Sequence, residues 1–336
     1  MSVKFILTSL IAGLTVLSST AIQAMAQGGK SAAHSPMSRL PDAKAAQREA
    51  LEGEAPRVFG GTEAAEGAWP FQVALLTSEG LDETSESQFD AQFCGGSLIS
   101  PEWVLTAAHC LVDGETPVAP ETVTVLVGAT ALNDGTRYSV EQVIVHAGYS
   151  QSTLDNDIAL IKMSTKTNVP FINLVENDVQ TGTATVTGWG RMDDGYFPVN
   201  LMQTDVELKP NESCNSGMKE IYKDDLARLL WDYSPRLRIS GEDIETATAA
   251  IGATMGDPLT GNMLCAGVES GARDACNGDS GGPLFMVDGD KITQVGVVSW
   301  GDGPLDSDVA CGHENAFGVY SRVSRYRDWI RDNTGV

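Results

Sequence analysis

The sequence predicts an all-β fold, a sandwich or a barrel, and three observations carry that prediction. After Val58 the chain breaks into short apolar runs: Phe71 to Leu76, Ser97 to Ile99, Val123 to Val127, Tyr138 to Val145, Ile158 to Met163, Thr183 to Thr187, Val295 to Trp300 and Phe317 to Tyr320. Gly, Asp, Asn and Pro separate them, and runs of this length between turn residues read as strands. Helical periodicity is missing between most of these runs, which argues against an alternating strand-helix architecture. Finally, 336 residues at 42% hydrophobic content suffice for a large packed core.

The elements outside the strands follow in chain order. Residues 1–26 carry Lys4, an apolar run from Phe5 to about Leu17 and a small-residue end at Ala24-Met25-Ala26. This is the pattern of a secretory signal peptide, and the run is shorter than the roughly 20 residues of a membrane span. Residues 27–57 are rich in Ala, Gly, Ser and Gln with Pro36, Pro41 and Pro56, and are expected to form a mobile leader without a core of its own. Two stretches have helical spacing. Met218, Ile221, Tyr222, Leu226, Leu229 and Leu230 recur on one face, and Ser240 with Asp243 forms a capping box, so a helical insertion is expected at about 216–255. Val323, Tyr326, Trp329 and Ile330 predict a docked C-terminal helix over Ser321 to Asn333.

Charge narrows the partners. With 22 basic and 45 acidic residues the net charge is −23, which disfavours nucleic acid phosphates and anionic membranes and favours cationic partners. The six cysteines lie downstream of the signal, in a number that allows complete pairing in an oxidising compartment, and none has metal-site spacing.

Chemistry concentrates in Gly278-Asp279-Ser280-Gly281-Gly282-Pro283. Glycines flanking a serine permit a tight turn whose backbone N–H groups can approach a substrate carbonyl. Upstream stand Leu105-Thr106-Ala107-Ala108-His109-Cys110 and Asp157-Ile158-Ala159-Leu160, and Asp155 is a competing carboxylate two residues before Asp157. With Trp69-Pro70, Phe93-Cys94-Gly95-Gly96-Ser97-Leu98-Ile99, Thr187-Gly188-Trp189-Gly190 and Val298-Ser299-Trp300-Gly301, these strings resemble the chymotrypsin/trypsin family of serine endopeptidases from Val58 to the terminal helix.

The resemblance implies two antiparallel six-stranded β-barrels with a cleft between them, the first ending near Val169 to Val175, in a protease domain over 58–336. It implies a triad of Ser280 as nucleophile, His109 as base and Asp157 as the group that fixes the imidazole tautomer, with Gly278 and Ser280 N–H groups as the oxyanion hole and no cofactor or metal. His34, His146 and His313 are left as leader, surface or loop residues. The family's selectivity position falls on Asp274, followed by Ala275, with Ser299, Trp300, Gly301 and Gly318 along the pocket. A carboxylate there implies cleavage after Arg and Lys, with Arg favoured because Ala275 lacks the hydroxyl that serves a shorter Lys.

Arg57-Val58-Phe59-Gly60-Gly61 resembles the family's activation junction: cleavage after Arg57 of the propeptide 27–57 would free the Val58 amine to pair with Asp279. The same resemblance pairs Cys94 with Cys110, Cys214 with Cys265 and Cys276 with Cys311. The expected partners are protein or peptide substrates and protein inhibitors of a monomer, secreted to the periplasm or outside the cell.

Overall fold

A computed structural model describes residues 36–50, 61–192, 195–271, 273–305 and 311–336. The signal segment and the Arg57-Val58 junction lie outside them. The elements are, in order, α1 (Pro36–Ala50), β1 (Thr62–Glu63), β2 (Gln72–Thr77), α2 (Ser87–Ala91), β3 (Gln92–Leu98), β4 (Trp103–Thr106), β5 (Val112–Asp113), β6 (Thr116–Pro117), β7 (Val123–Val127), β8 (Thr136–Val145), β9 (Ala159–Met163) and β10 (Asn173–Leu174). There follow β11 (Gly182–Gly188), β12 (Met202–Lys209), α3 (Asn211–Leu237), α4 (Gly241–Gly252), β13 (Met263–Gly267), β14 (Pro283–Asp288), β15 (Lys291–Trp300), β16 (Gly318–Arg322) and α5 (Arg327–Thr334).

Strands β2-β3-β4-β9-β8-β7 close into one antiparallel barrel, and β12-β11-β14-β15-β16-β13 close into a second because β13 pairs back onto β12. Closure removes the open edges that a sheet of this size would otherwise expose. The apolar run in β2 is continuous because both its faces are covered. Val73 and Leu75 enter the main core, while Ala74 and Leu76 pack on the other side with Leu126 and Trp189.

Buried polar groups tie the barrels together. Ser97 of the first donates to Gln294 of the second at 2.7 Å, and Thr187 of the second donates to Gln72 of the first at 2.7 Å. Buried side chains of this kind are tolerated only when satisfied, so each bond also fixes the relative position of the barrels. Phe285 packs against Trp69 and Phe71 at ring-centroid distances of 4.7 and 5.2 Å across the same seam.

Three segments differ from the sequence-based expectation. The insertion begins at Asn211, so Cys214 is already helical; in α3 only the first turns bury apolar residues, Met218 and Ile221, and Leu229 lies exposed, while α4 buries Ile244. The C-terminal α-helix starts at Arg327, because Ser321 and Arg322 complete β16 and a 3₁₀ turn follows at Val323–Tyr326. The third difference concerns the leader: residues 36–50 are a docked helix, not a segment without a core. Leu40, Lys44 and Gln47 fall at i, i+4 and i+7 on one face; Leu40 and Lys44 are buried and Gln47 brackets the backbone of Phe197. Composition concealed this, since two apolar residues, Met37 and Leu40, and two long polar ones make the contact. Among the described residues no helix is long and apolar enough to cross a membrane.

Candidate active site

The candidate base sits on a 3₁₀ turn, Ala108–Leu111, at the end of β4, and the Cys94–Cys110 disulfide ties that turn to β3. Asp157 lies two residues before the start of β9 and is fully buried. Its Oδ1 accepts the backbone N–H of His109 at 2.8 Å, and its Oδ2 stands 2.7 Å from His109 Nδ1 and accepts the Ser299 hydroxyl at 2.5 Å. Burial pushes this carboxyl up, but the His109 charge and the hydrogen bonds from His109 and Ser299 outweigh it and hold the group below the usual Asp range. Asp157 is therefore an anion facing donors only. Asp155 is occupied elsewhere, accepting from Thr260 at 2.7 Å and Asn262 at 3.1 Å across the barrel seam.

Ser280 comes from the second barrel. Gly281 donates to Val298 at 2.8 Å, Gly282 to Asp279 at 2.9 Å and Val298 to Gly282 at 2.9 Å, which folds the Ser280 turn onto β15. From the first barrel, Gly95 N–H donates to the Ser280 carbonyl at 2.7 Å, and Cys110 Sγ lies 3.6 Å from that oxygen. The turn is thereby fixed beside the His109 segment. Gly278 has φ +106° and Gly281 φ +80°, conformations that a side chain would strain, and a Cβ at Gly281 would overlap Thr106. The N–H groups of Gly278 and Ser280 have no acceptor among the described residues, so both remain available to an incoming oxygen. Nor does Ser280 Oγ make a hydrogen bond among them, and His109 Nε2 has Cys110 Sγ at 3.8 Å. Such nucleophile-base contacts commonly tighten only when substrate arrives.

Asp274 is buried, lines a cavity together with Asp279 and accepts the Ala275 N–H at 2.7 Å. Burial pushes its carboxyl up to about 8, against hydrogen bonds from the backbones of Ala275, Gly312 and Gly318. A Cβ at Gly318 would overlap the Asp274 carboxylate, whereas one at Gly301 would meet open space. The Cys276–Cys311 disulfide braces this wall, and Cys214–Cys265 anchors the insertion beneath Trp300. The Ser299 hydroxyl is committed to Asp157, so its side chain orients the triad candidate and only its backbone is left for a substrate.

Asp279 turns inward. Its carboxylate accepts N–H groups from Gly190 at 2.7 Å and Cys276 at 2.9 Å, and a Cβ at either Gly188 or Gly190 would overlap it. The Thr187-Gly188-Trp189-Gly190 string is thus a cradle for a carboxylate. A cavity adjoins it, lined by Gly188, Gly190, Met202, Gln203, Thr204 and Asp279.

These features decide the family. The Trypsin family profile matches residues 58–229 and 237–330. The chain belongs to the trypsin family of serine proteases. It is 32% identical to transmembrane protease serine 11G of Rattus norvegicus over 289 residues, covering 83% of this chain and 56% of that protein. It is 30% identical to coagulation factor XI of Bos taurus over 287 residues (83% and 38%), and 31% identical to mannan-binding lectin serine protease 1 of Rattus norvegicus over 302 residues (83% and 36%). It therefore spans about half, or less, of the length of these relatives.

Several contacts of this trypsin-family site have no signal in the sequence. Ser321 donates to the Asp157 carbonyl at 2.5 Å, held there by the pairing of β16 with β13 and β15. From α3, Tyr222 donates to Asp302 at 3.1 Å and Asp225 accepts the Leu305 N–H at 3.1 Å, so the insertion supports the loop after Trp300 instead of lying apart from it. His146 packs edge-on against Tyr326 and Trp329 at 5.4 and 5.1 Å, away from the triad candidates. Cys94, His109 and Cys110 cluster at metal-ligand spacing, but both sulfurs are spent in a disulfide. His34 lies outside the described residues.

Proposed function

We propose that this chain is a secreted serine endopeptidase that hydrolyses peptide bonds after Arg and Lys through an acyl-enzyme, after activation by cleavage following Arg57. The observation that carries the reading is the buried Asp157–His109 pair beside a serine turn whose Gly278 and Ser280 N–H groups are unspent. Ser280 Oγ attacks the scissile carbonyl while His109 Nε2 takes its proton, and the two N–H groups bind the developing oxyanion. His109 then protonates the leaving amine, and water repeats the sequence to release the acid and regenerate Ser280. Asp157 stabilises the imidazolium without itself taking the proton.

Asp274 supplies the preference for a cation. Its burial without a fixed counter-charge supports a site completed by the substrate guanidinium or ammonium. On matched peptides with Arg, Lys, Phe or Ala at the cleaved bond, the activated protein is expected to cleave only the first two, Arg faster than Lys because Ala275 offers no hydroxyl. Reaction of Ser280 with a fluorophosphonate probe checks the nucleophile. Rapid cleavage after Phe or Ala would overturn the pocket assignment. The raised Asp274 carboxyl adds a pH signature. Below about pH 8 it must release a proton before pairing with a cation, so benzamidine should bind about 100-fold more weakly at pH 6 than at pH 9. Calorimetry in buffers of different ionisation heat would register the released proton.

Activation rests on the Asp279 cradle and on register. Thr62 pairs with Gln203, which lines the cavity beside Asp279, and the four residues back to Val58 can span up to about 14 Å. This pairing and span support a Val58 amine entering the cavity toward the carboxylate. Cleavage also makes the protein more acidic, taking the net charge from −23 to −25. Secretion is supported by three disulfides, which suit an oxidising compartment.

A further inference from the structure

Helix α1 buries an amine that is linked through Gln92 to the Gly278 carbonyl, next to Asp279, before any cleavage. Lys44 is fully buried, a rare position for lysine and one that requires compensation. Its Nζ donates to Gln92 Oε1 and to the Phe89 carbonyl at 3.2 Å, and lies over the rings of Phe89 and Phe197 at 4.9 and 5.2 Å. Asp90 and Asp279 are the carboxylates that act on it.

The contact continues into the candidate oxyanion loop. Gln92, oriented by Lys44 at its oxygen, donates from Nε2 to the Gly278 carbonyl at 3.0 Å. Asp279 follows in the chain and is held by Gly190 and Cys276. The Gly278 carbonyl thus answers to a leader lysine through Gln92, and Asp279, the next residue, feels that lysine through charge. The helix carrying it packs on α2, on β3 and on the 3₁₀ turn bearing His109.

We propose that Lys44 is a positioning residue of the uncut chain: it stands in for the Val58 amine at Asp279 and orders the oxyanion loop through Gln92, while its helix covers the leaving-group side of the cleft. The inference rests on the activation reading above and sharpens it. The precursor is obstructed rather than disordered, and cleavage hands Asp279 from Lys44 to Val58, which approaches through the cavity by Gly188 and Gln203.

The test uses the full chain locked by Arg57→Gln. A small fluorophosphonate should label its Ser280 within about tenfold of the cut enzyme's rate, while a peptide extending past the cleaved bond on both sides is hydrolysed at least about 100-fold more slowly. Adding Lys44→Met should lower labelling about 100-fold, the cost of one lost oxyanion donor. Cut enzyme prepared from a Lys44→Met precursor with intact Arg57 should match the parent. Should the Met variant melt early, Lys44→Gln keeps donors for Gln92 and Phe89 without the charge, and its labelling should also fall. Unchanged or faster labelling in a folded Lys44 variant overturns the positioning role, and rapid cleavage of the long peptide by the locked chain overturns the obstruction. The Val58 reading is tested separately. Val58→Gly should impair only the cut enzyme, and full activity of that variant would refute the Val58 assignment while the locked chain still judges Lys44.

Discussion

Replacing Asp157 by Asn is expected to lower kcat on a peptide substrate by about 10⁴-fold, with KM little changed. All three hydrogen bonds at this carboxylate come from donors: the His109 backbone N–H, His109 Nδ1 and the Ser299 hydroxyl. A carboxylate accepts all of them at once. An amide must set its NH₂ against a donor, and the partner best able to yield is the imidazole, which can move its proton from Nδ1 to Nε2. His109 would then present a proton to Ser280 where the mechanism needs a lone pair. Ground-state binding uses none of these atoms, so the loss belongs in kcat. Steady-state kinetics together with a thermal melt checks it, since a folded variant with kcat within tenfold of the parent would remove Asp157 from the mechanism.

The second large effect is expected at the pocket base, where Asp274→Ser should lower kcat/KM for Arg peptides by about 10²- to 10⁴-fold. The range follows from about 3–5 kcal/mol for a buried charge deprived of its partner, at about 1.4 kcal/mol per factor of ten. Cleavage after a neutral residue should change far less, because Gly318 and Gly301 leave the walls unaltered. A parallel fall on Arg and neutral substrates would mean that Asp274 supports the loop instead of selecting the substrate. That alternative has a specific origin, since the carboxylate also accepts the Ala275 N–H.

Much of the fold was legible because its causes are local. Short apolar runs between turn residues became strands in both barrels, and the Ser240–Asp243 capping box is present with both of its bonds, 3.1 and 3.0 Å. The strands Trp103–Thr106, Met202–Lys209, Met263–Gly267 and Pro283–Asp288 carried weaker signals. In β12 the buried residues Met202, Val206 and Leu208 are interspersed with charged ones, and only pairing with β11 and β13 settles its conformation. Helix α3 shows the opposite case. Its apolar period predicts one packed face, yet the domain surface ends near Asp225, and beyond it Leu229 and Trp231 face solvent.

For the site the division runs between identity and geometry. The candidates Ser280, His109 and Asp157 stand out in the sequence because they fall in short strings that resemble the family's motifs. The tertiary structure decided how those strings are held. Ser299 and Ser321, on strands far from Asp157 in the chain, supply two of its hydrogen bonds, and Gly188 and Gly190 make room for Asp279. It also decided the state of the leader. Lys44 looks like one more solvated charge in a polar segment, yet in the fold burial pushes its amine down to about 7, and Gln92, Phe89, Phe197 and the charges of Asp90 and Asp279 offset only part of that cost. Sequence reports which groups are available; which charges must meet depends on burial, and burial is a property of the whole packed chain.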